Sequence, residues 1–79
     1  MTDSHIEAII GSPPERDELV VQLFALNGGQ WAEIFRKHGT YLIELYGFED
    51  GPVTFGVDEF ISAIQRSLVE LKQRLEGEG

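Results

Sequence analysis

The chain has 79 residues, no cysteine and a formal net charge of −8. A chain of this length is expected to form a single domain, residues 1–79, near the lower size limit for folding alone. The acidic charge argues against nucleic-acid binding, and the lack of cysteine excludes disulfides and thiolate metal sites. Because a small secreted domain usually needs disulfides, the absence of cysteine predicts a cytoplasmic protein. No apolar run approaches the roughly 20 residues that span a bilayer, so we expect no membrane partner.

The first predicted element is a short helix near the N-terminus. Ser4 precedes Glu7 by three residues, which is the spacing of a capping box, and three isoleucines lie close by. Pro13–Pro14 would end this helix, because proline lacks the amide hydrogen and favours an extended preceding residue. Residues 1–14 are therefore predicted to form a helix and a stiff connector.

A β-meander is predicted over residues 18–55. Its strands consist of apolar and β-branched residues between turn residues, and they are Leu19–Leu26, Trp31–Lys37, Thr40–Tyr46 and a short Val53–Phe55. Asn27–Gly29 and His38–Gly39 supply the turns of two hairpins, since glycine permits the positive φ angles of tight turns.

The last predicted element is a long helix over residues 57–75. Its apolar residues recur every three or four positions, and they are Val57, Ile61, Ile64, Leu68, Leu71 and Leu75. Gly77 offers a left-handed end to the helix. The predicted class is therefore α+β, with an antiparallel β-meander of three to four strands packed against this helix, and a short N-terminal helix.

The hairpin turns set a register that divides the side chains between two sheet faces. The aliphatic face should receive the C-terminal helix, and it carries Leu19, Val21, Leu23, Ala25, Ala32, Ile34, Tyr41, Ile43 and Leu45. The opposite face is unusually apolar for a surface exposed to solvent. The N-terminal helix, a second copy of the chain or a different protein would have to cover it.

This opposite face is the candidate partner-binding site. Its aromatic, apolar and acidic members are Phe24, Trp31, Glu33, Phe35, Leu42, Glu44 and Tyr46. The register places Glu33 and Glu44 opposite each other, where like charges repel. Aromatic anchors beside an acidic pair suit a basic protein partner, and an arginine or lysine of that partner would relieve the repulsion.

No arrangement of residues indicates catalysis, a metal or a cofactor. His5 and His38 lack acidic neighbours at a recognisable ligand spacing, and the serines lack a nucleophile motif. The glycines form turns, without the pattern of a phosphate-binding loop. We therefore expect a non-enzymatic protein that has neither a cofactor nor a metal.

The run Thr40–Tyr46, a Gly-Pro turn and Phe55–Ile61 resemble small acidic bacterial proteins that include toxin-neutralising immunity proteins. The likeness extends from Trp31 to Ile64, and it implies a cytoplasmic binding protein that blocks a basic toxin. Two hypotheses remain: an interaction module that uses the aromatic and acidic face, and a self-associating structural or regulatory protein that buries this face in a homodimer.

Overall fold

The computed structural model of the chain describes residues 5–25, 29–47 and 52–77. Within these ranges the elements are β1 (Ile6–Gly11), β2 (Val20–Ala25), β3 (Gly29–Lys37), β4 (Thr40–Leu45) and α1 (Val57–Glu76). The strands form one antiparallel sheet in the order β1-β2-β3-β4, and α1 packs across β1, β2 and β3. The predicted α+β class, with an antiparallel sheet and one long C-terminal helix, is confirmed.

The N-terminal segment is a strand, so the predicted N-terminal helix is wrong. β1 pairs with β2 along its whole length, beginning with Ile6 opposite Ala25. The Ile6 backbone N–H also donates a hydrogen bond to Glu59 Oε2 at 3.2 Å, which ties the start of β1 to α1. A helix of two turns is marginal by itself, whereas pairing with β2 provides hydrogen bonds along six residues. Ser4, the predicted cap, lies outside the described residues.

The predicted strand Val53–Phe55 does not pair with the sheet. Val53 and Phe55 instead pack against the core, and the Phe55 ring lies 5.0 Å from the ring of Trp31. Pro52 has no backbone donor for a strand ladder. The fourth strand of the sheet is instead β1, which pairs with β2.

The second hairpin has the predicted turn and register. His38 and Gly39 have φ angles of 53° and 79°, the left-handed region that a two-residue hairpin turn requires. Glu33 lies opposite Glu44, as the hairpin turn predicts. Asn27 and Gly28 of the first predicted turn lie outside the described ranges.

A β-bulge in β3 reverses the predicted orientation of Trp31. Leu23 pairs with Ala32 but Phe24 pairs with Gln30, so β3 has one extra residue at this point. The extra residue is Trp31, which is only 4% exposed and joins the core beneath α1. Its assignment to the face opposite α1 was therefore wrong.

The core lies between the sheet and α1. Its buried members are apolar, and they are Val21, Leu23, Ala25, Trp31, Ala32, Ile34 and Leu71. Most of the aliphatic face that was predicted to receive the helix is therefore in the core. Ile43 and Leu45 are the exceptions, because both are exposed.

The buried face of α1 matches the predicted apolar stripe only in part, since Leu71 is buried and Ile64 and Leu75 pack against the core. Ala63, Ser67 and Leu71 are buried, whereas Val57 and Ile61 of the predicted stripe are exposed. The three buried residues recur every four positions and so share one face of the helix. Two of them are small, which lets the helix backbone lie close to the sheet. Hydrophobic periodicity alone selected the larger apolar side chains. It therefore predicted a buried face that is rotated about the helix axis relative to the observed one.

Leu71→Ala should lower the free energy of unfolding by about 2–5 kcal/mol, because it opens a cavity at a fully buried site. Val69→Ala, at an exposed position of the same helix, is the matched control and should change stability by less than about 0.5 kcal/mol. Urea denaturation measures both. An effect of Leu71→Ala as small as that of the control would contradict the packing of α1 at this position.

Candidate functional site

The sheet face opposite α1 is partly covered by Arg16, which lies in the connector between β1 and β2, residues 12–19. The Arg16 backbone N–H donates a hydrogen bond to the Pro13 carbonyl at 3.1 Å and closes a turn. Pro14 occupies the second position of this turn, where its fixed φ is favourable. The guanidinium carbon of Arg16 lies 3.7 Å from the centroid of the Phe35 ring. A segment of the same chain therefore supplies part of the cover that this face requires.

Arg16 bridges the two acidic residues that face each other across β3 and β4. Its Nε donates a hydrogen bond to Glu33 Oε1 at 2.8 Å, and its Nη2 lies 2.6 Å from the same oxygen. Nη2 also donates to Glu44 Oε1 at 3.0 Å, and this oxygen accepts a further hydrogen bond from Tyr46 Oη at 3.1 Å. Because Glu33 is buried, Arg16 supplies the ion-pair partner that a carboxylate withdrawn from water requires.

These contacts reinforce the ordinary charge states of Arg16 and Tyr46. The hydrogen bond to Glu33 raises the pKa of Arg16, although desolvation acts in the opposite direction. Burial, and then the hydrogen bond to Glu44, raise the pKa of Tyr46. At neutral pH Arg16 is therefore a cation and Tyr46 a neutral donor. The repulsion between the two opposed carboxylates is relieved within the chain.

A second ion pair attaches the end of the connector, just before β2, to Arg36 of β3. Arg36 Nε donates to Glu18 Oε1 at 3.1 Å, and Arg36 Nη2 donates to Glu18 Oε2 at 2.5 Å. This two-point geometry is the strong form of a carboxylate–guanidinium pair. The hydrogen bond from Arg36 lowers the pKa of Glu18, and the same bond raises the pKa of Arg36. The connector is therefore attached to the sheet at both Arg16 and Glu18.

Four of the seven predicted partner-binding residues are withdrawn from solvent. Glu33 and Phe35 are buried and contact Arg16, and Phe24 is half-buried. Trp31 lies in the core on the opposite side of the sheet because of the bulge. The predicted face is therefore not a continuous surface in the folded chain.

The exposed part of the predicted site lies along β4. Leu42, Glu44 and Tyr46 are exposed, and so are Ile43 and Leu45 from the other face of the strand. Leu45 is 66% exposed, Ile43 43% and Leu42 41%. β4 is also an edge of the sheet, so its outer backbone groups have no partner strand within the described residues. We call Leu42, Ile43, Leu45, Tyr46 and this outer backbone edge the β4 surface.

The β4 surface is exposed because α1 does not extend over β4. A helix is about 10–12 Å wide and strands lie about 4.8 Å apart, so one helix covers two or three strands. Tyr41 contacts the near flank of α1, since its hydroxyl donates to Glu76 Oε2 at 2.7 Å and its ring lies 5.5 Å from Lys72 Nζ. Ile61 lies about three turns before Lys72 on the same flank of α1, and its side chain is exposed. The sequence predicts only one long helix, and the width of one helix could have indicated that a strand of the sheet would be left uncovered.

Other kinds of site were sought in the same ranges. Among the described residues, no three or more His, Asp or Glu side chains are grouped so that they could hold a metal ion. The described part of the chain also contains no helix with the length and apolar character needed to cross a membrane. The expectations of no cofactor and no enzymatic activity stay predictions.

Known proteins do not assign a function to this geometry. Comparison with protein-family models, curated proteins and solved structures finds no match to the chain. The resemblance to immunity proteins therefore stays a prediction, and a functional proposal depends on the residues described above.

Arg16→Ala should lower the free energy of unfolding by about 1–3 kcal/mol, because the buried carboxylate of Glu33 loses its charged partner. Arg66→Ala, at an exposed position of α1, is the control and should have little effect. Adding Glu33→Gln to Arg16→Ala should restore part of the stability, since no buried charge then lacks a partner. A double variant no more stable than Arg16→Ala would assign the effect to packing on Phe35 instead. Chemical denaturation distinguishes these outcomes.

The ion pair of Glu18 predicts a component of acid sensitivity. Because the folded state lowers the pKa of Glu18 below 4.5, its stabilising effect is present above that pH and is lost as the pH falls through the folded-state value. The unfolding free energy of the wild type should therefore fall more steeply than that of Glu18→Gln between about pH 5 and about pH 3. Glu15→Gln, in the same connector, is the control. Parallel curves for wild type and Glu18→Gln would contradict the role of the pair.

Proposed function

We propose that the protein is a non-enzymatic interaction module that binds another polypeptide chain through the β4 surface. The observation that carries this proposal is an edge strand with exposed apolar side chains on both of its faces. An added strand would hydrogen-bond to the outer backbone of β4, and its side chains would cover the apolar groups above and below the sheet. This mode of binding uses backbone groups for affinity and side chains for specificity.

β4 is better suited to this role than β1, the other edge of the sheet. Of the large apolar side chains of β1, Ile9 is exposed, while Ile6 and Ile10 pack against the core. Lysine, proline and bulges ordinarily protect an edge strand, and both Ile6–Gly11 and Thr40–Leu45 lack all three. The exposed apolar side chains on both faces of β4 are therefore what distinguishes the two edges. The β4 edge therefore favours pairing with a further strand.

The most specific form of this proposal is the neutralisation of a basic toxin, which the resemblance of residues 31–64 implies. The net charge of −8 supports it, because an acidic surface attracts a cationic protein and accelerates encounter. Glu33 and Glu44 are already bound by Arg16, so affinity would come mainly from the β4 surface. The alternative is a homodimer that buries the same surface.

The proposal is tested by affinity capture with three tagged forms of the chain. The double variant Leu42→Lys with Leu45→Lys puts one charge on each face of β4, while Val69→Lys puts a charge at an exposed apolar position of α1. A protein retained by the wild type and by Val69→Lys, but lost from the β4 variant, is the result expected for a heterologous partner. Thermal unfolding checks that all three forms are folded.

Two outcomes of the capture experiment contradict the binding of another protein through the β4 surface. The first is a wild-type chain that retains no other protein from an extract of the organism that encodes it. The second is an identical set of proteins on all three forms, which would show that β4 is not the binding element.

A further inference from the structure

We infer that the β4 surface binds a second copy of this chain, with the two β4 strands antiparallel and Ile43 opposite Ile43 of the copy. The inference rests on the proposed use of β4 for binding and names its partner. Two four-stranded sheets would then join into one continuous sheet of eight strands, with both helices on the same side. The argument depends on register, on the exposed side chains and on charge.

Symmetry restricts the possible registers. In an antiparallel pair, directly opposed residues share a sheet face, so a two-fold axis between identical strands must place one residue, the centre of the register, directly opposite its own copy. A centre at Glu44 would place two carboxylates opposite each other, which is unfavourable. A centre at Leu42 would place Leu45 opposite Gly39, in the hairpin turn, and would leave Leu45 without an apolar neighbour. The centre at Ile43 has neither defect.

The Ile43-centred register covers the side chains that the single chain leaves exposed. On the helix side, Ile43 meets Ile43 of the copy, and Leu45 meets Tyr41. On the other side, Leu42 lies opposite Glu44, whose carboxylate is already bound by Arg16 of its own chain. Each strand also gains backbone hydrogen bonds along the edge that the fold leaves open.

Local charge favours a second β4 strand as the occupant. Glu44 is the one charged residue in Thr40–Leu45, and Arg16 is shared between Glu44 and Glu33, so these three side chains together carry only one net negative charge with which to attract a cation. A largely apolar strand of low charge complements a strand of the same kind. Two copies with a charge of −8 each still repel at long range. Salt should therefore strengthen self-association, whereas it would weaken the binding of a basic protein.

The first test is the solution mass of the 8.9 kDa chain measured by sedimentation from about 10 µM to about 1 mM. We expect the wild type and Val69→Lys to approach twice the chain mass, and added salt to favour the dimer. Leu45→Lys should weaken the dimer by about tenfold or more, because a charge enters the apolar contact. A wild-type monomer over the whole range overturns the inference.

The second test fixes the register with single cysteines, which the cysteine-free chain allows. Directly opposed residues have Cα atoms about 4.5–5.5 Å apart, within the range of a disulfide. Under a mild oxidant, Ile43→Cys should therefore form a covalent dimer. Leu42→Cys should not, because the two copies of residue 42 lie two residues apart along the strands, and Val69→Cys serves as the collision control. Faster cross-linking of Leu42→Cys, or equal rates for all three, overturns the register.

The two proposals fail in different ways. If the wild type is monomeric but a captured protein is lost from the Leu42→Lys, Leu45→Lys variant, β4 is a binding element and the second copy is the wrong partner. If the solution mass and the capture are both unaffected by the β4 variant, then β4 has neither role.

Discussion

The width of a single helix relative to four strands is the constraint on which the rest of this structure depends. α1 packs across β1, β2 and β3, and the small side chains of Ala63 and Ser67 bring it close to the sheet. A helix about 10–12 Å wide cannot also cover a fourth strand at a spacing of about 4.8 Å. Ile43 and Leu45, residues of β4 that were predicted to lie beneath the helix, are therefore exposed. The candidate site is the part of the sheet that lies beyond the reach of the helix.

On the sheet face opposite α1, a different interaction limits the surface that is accessible to a partner. This interaction is the contact of Arg16 with Glu33 and Glu44. A pair of carboxylates opposite each other on a sheet is unfavourable unless a cation lies between them. Here the cation comes from the connector between β1 and β2, whose turn also brings the guanidinium over Phe35. This contact occupies the acidic pair and buries its aromatic neighbour. The centre of this face is therefore not accessible to a partner, and the exposed apolar surface lies at its edge, along β4.

Part of the candidate site could be predicted from the sequence. The His38–Gly39 turn fixed the register of β3 and β4, so the opposition of Glu33 and Glu44 followed from local chemistry. The orientation of Trp31 could not be predicted in this way, because a bulge inserts one residue and changes which side chains face the helix. Periodicity also predicted an apolar stripe on α1, but the rotation of that helix depends on how closely it can approach the sheet.

The sequence by itself determined the elements whose signals are local, which are the long C-terminal helix and the second hairpin with its register. Hydrophobic spacing and turn chemistry act over a few residues, so they can be recognised without knowing the fold. Only the tertiary structure decided that Ile6–Gly11 is a strand, that Arg16 lies between the two acids and that β4 is exposed. Each of these depends on pairing between residues far apart in the chain, where ladder hydrogen bonds and burial outweigh a local capping pattern.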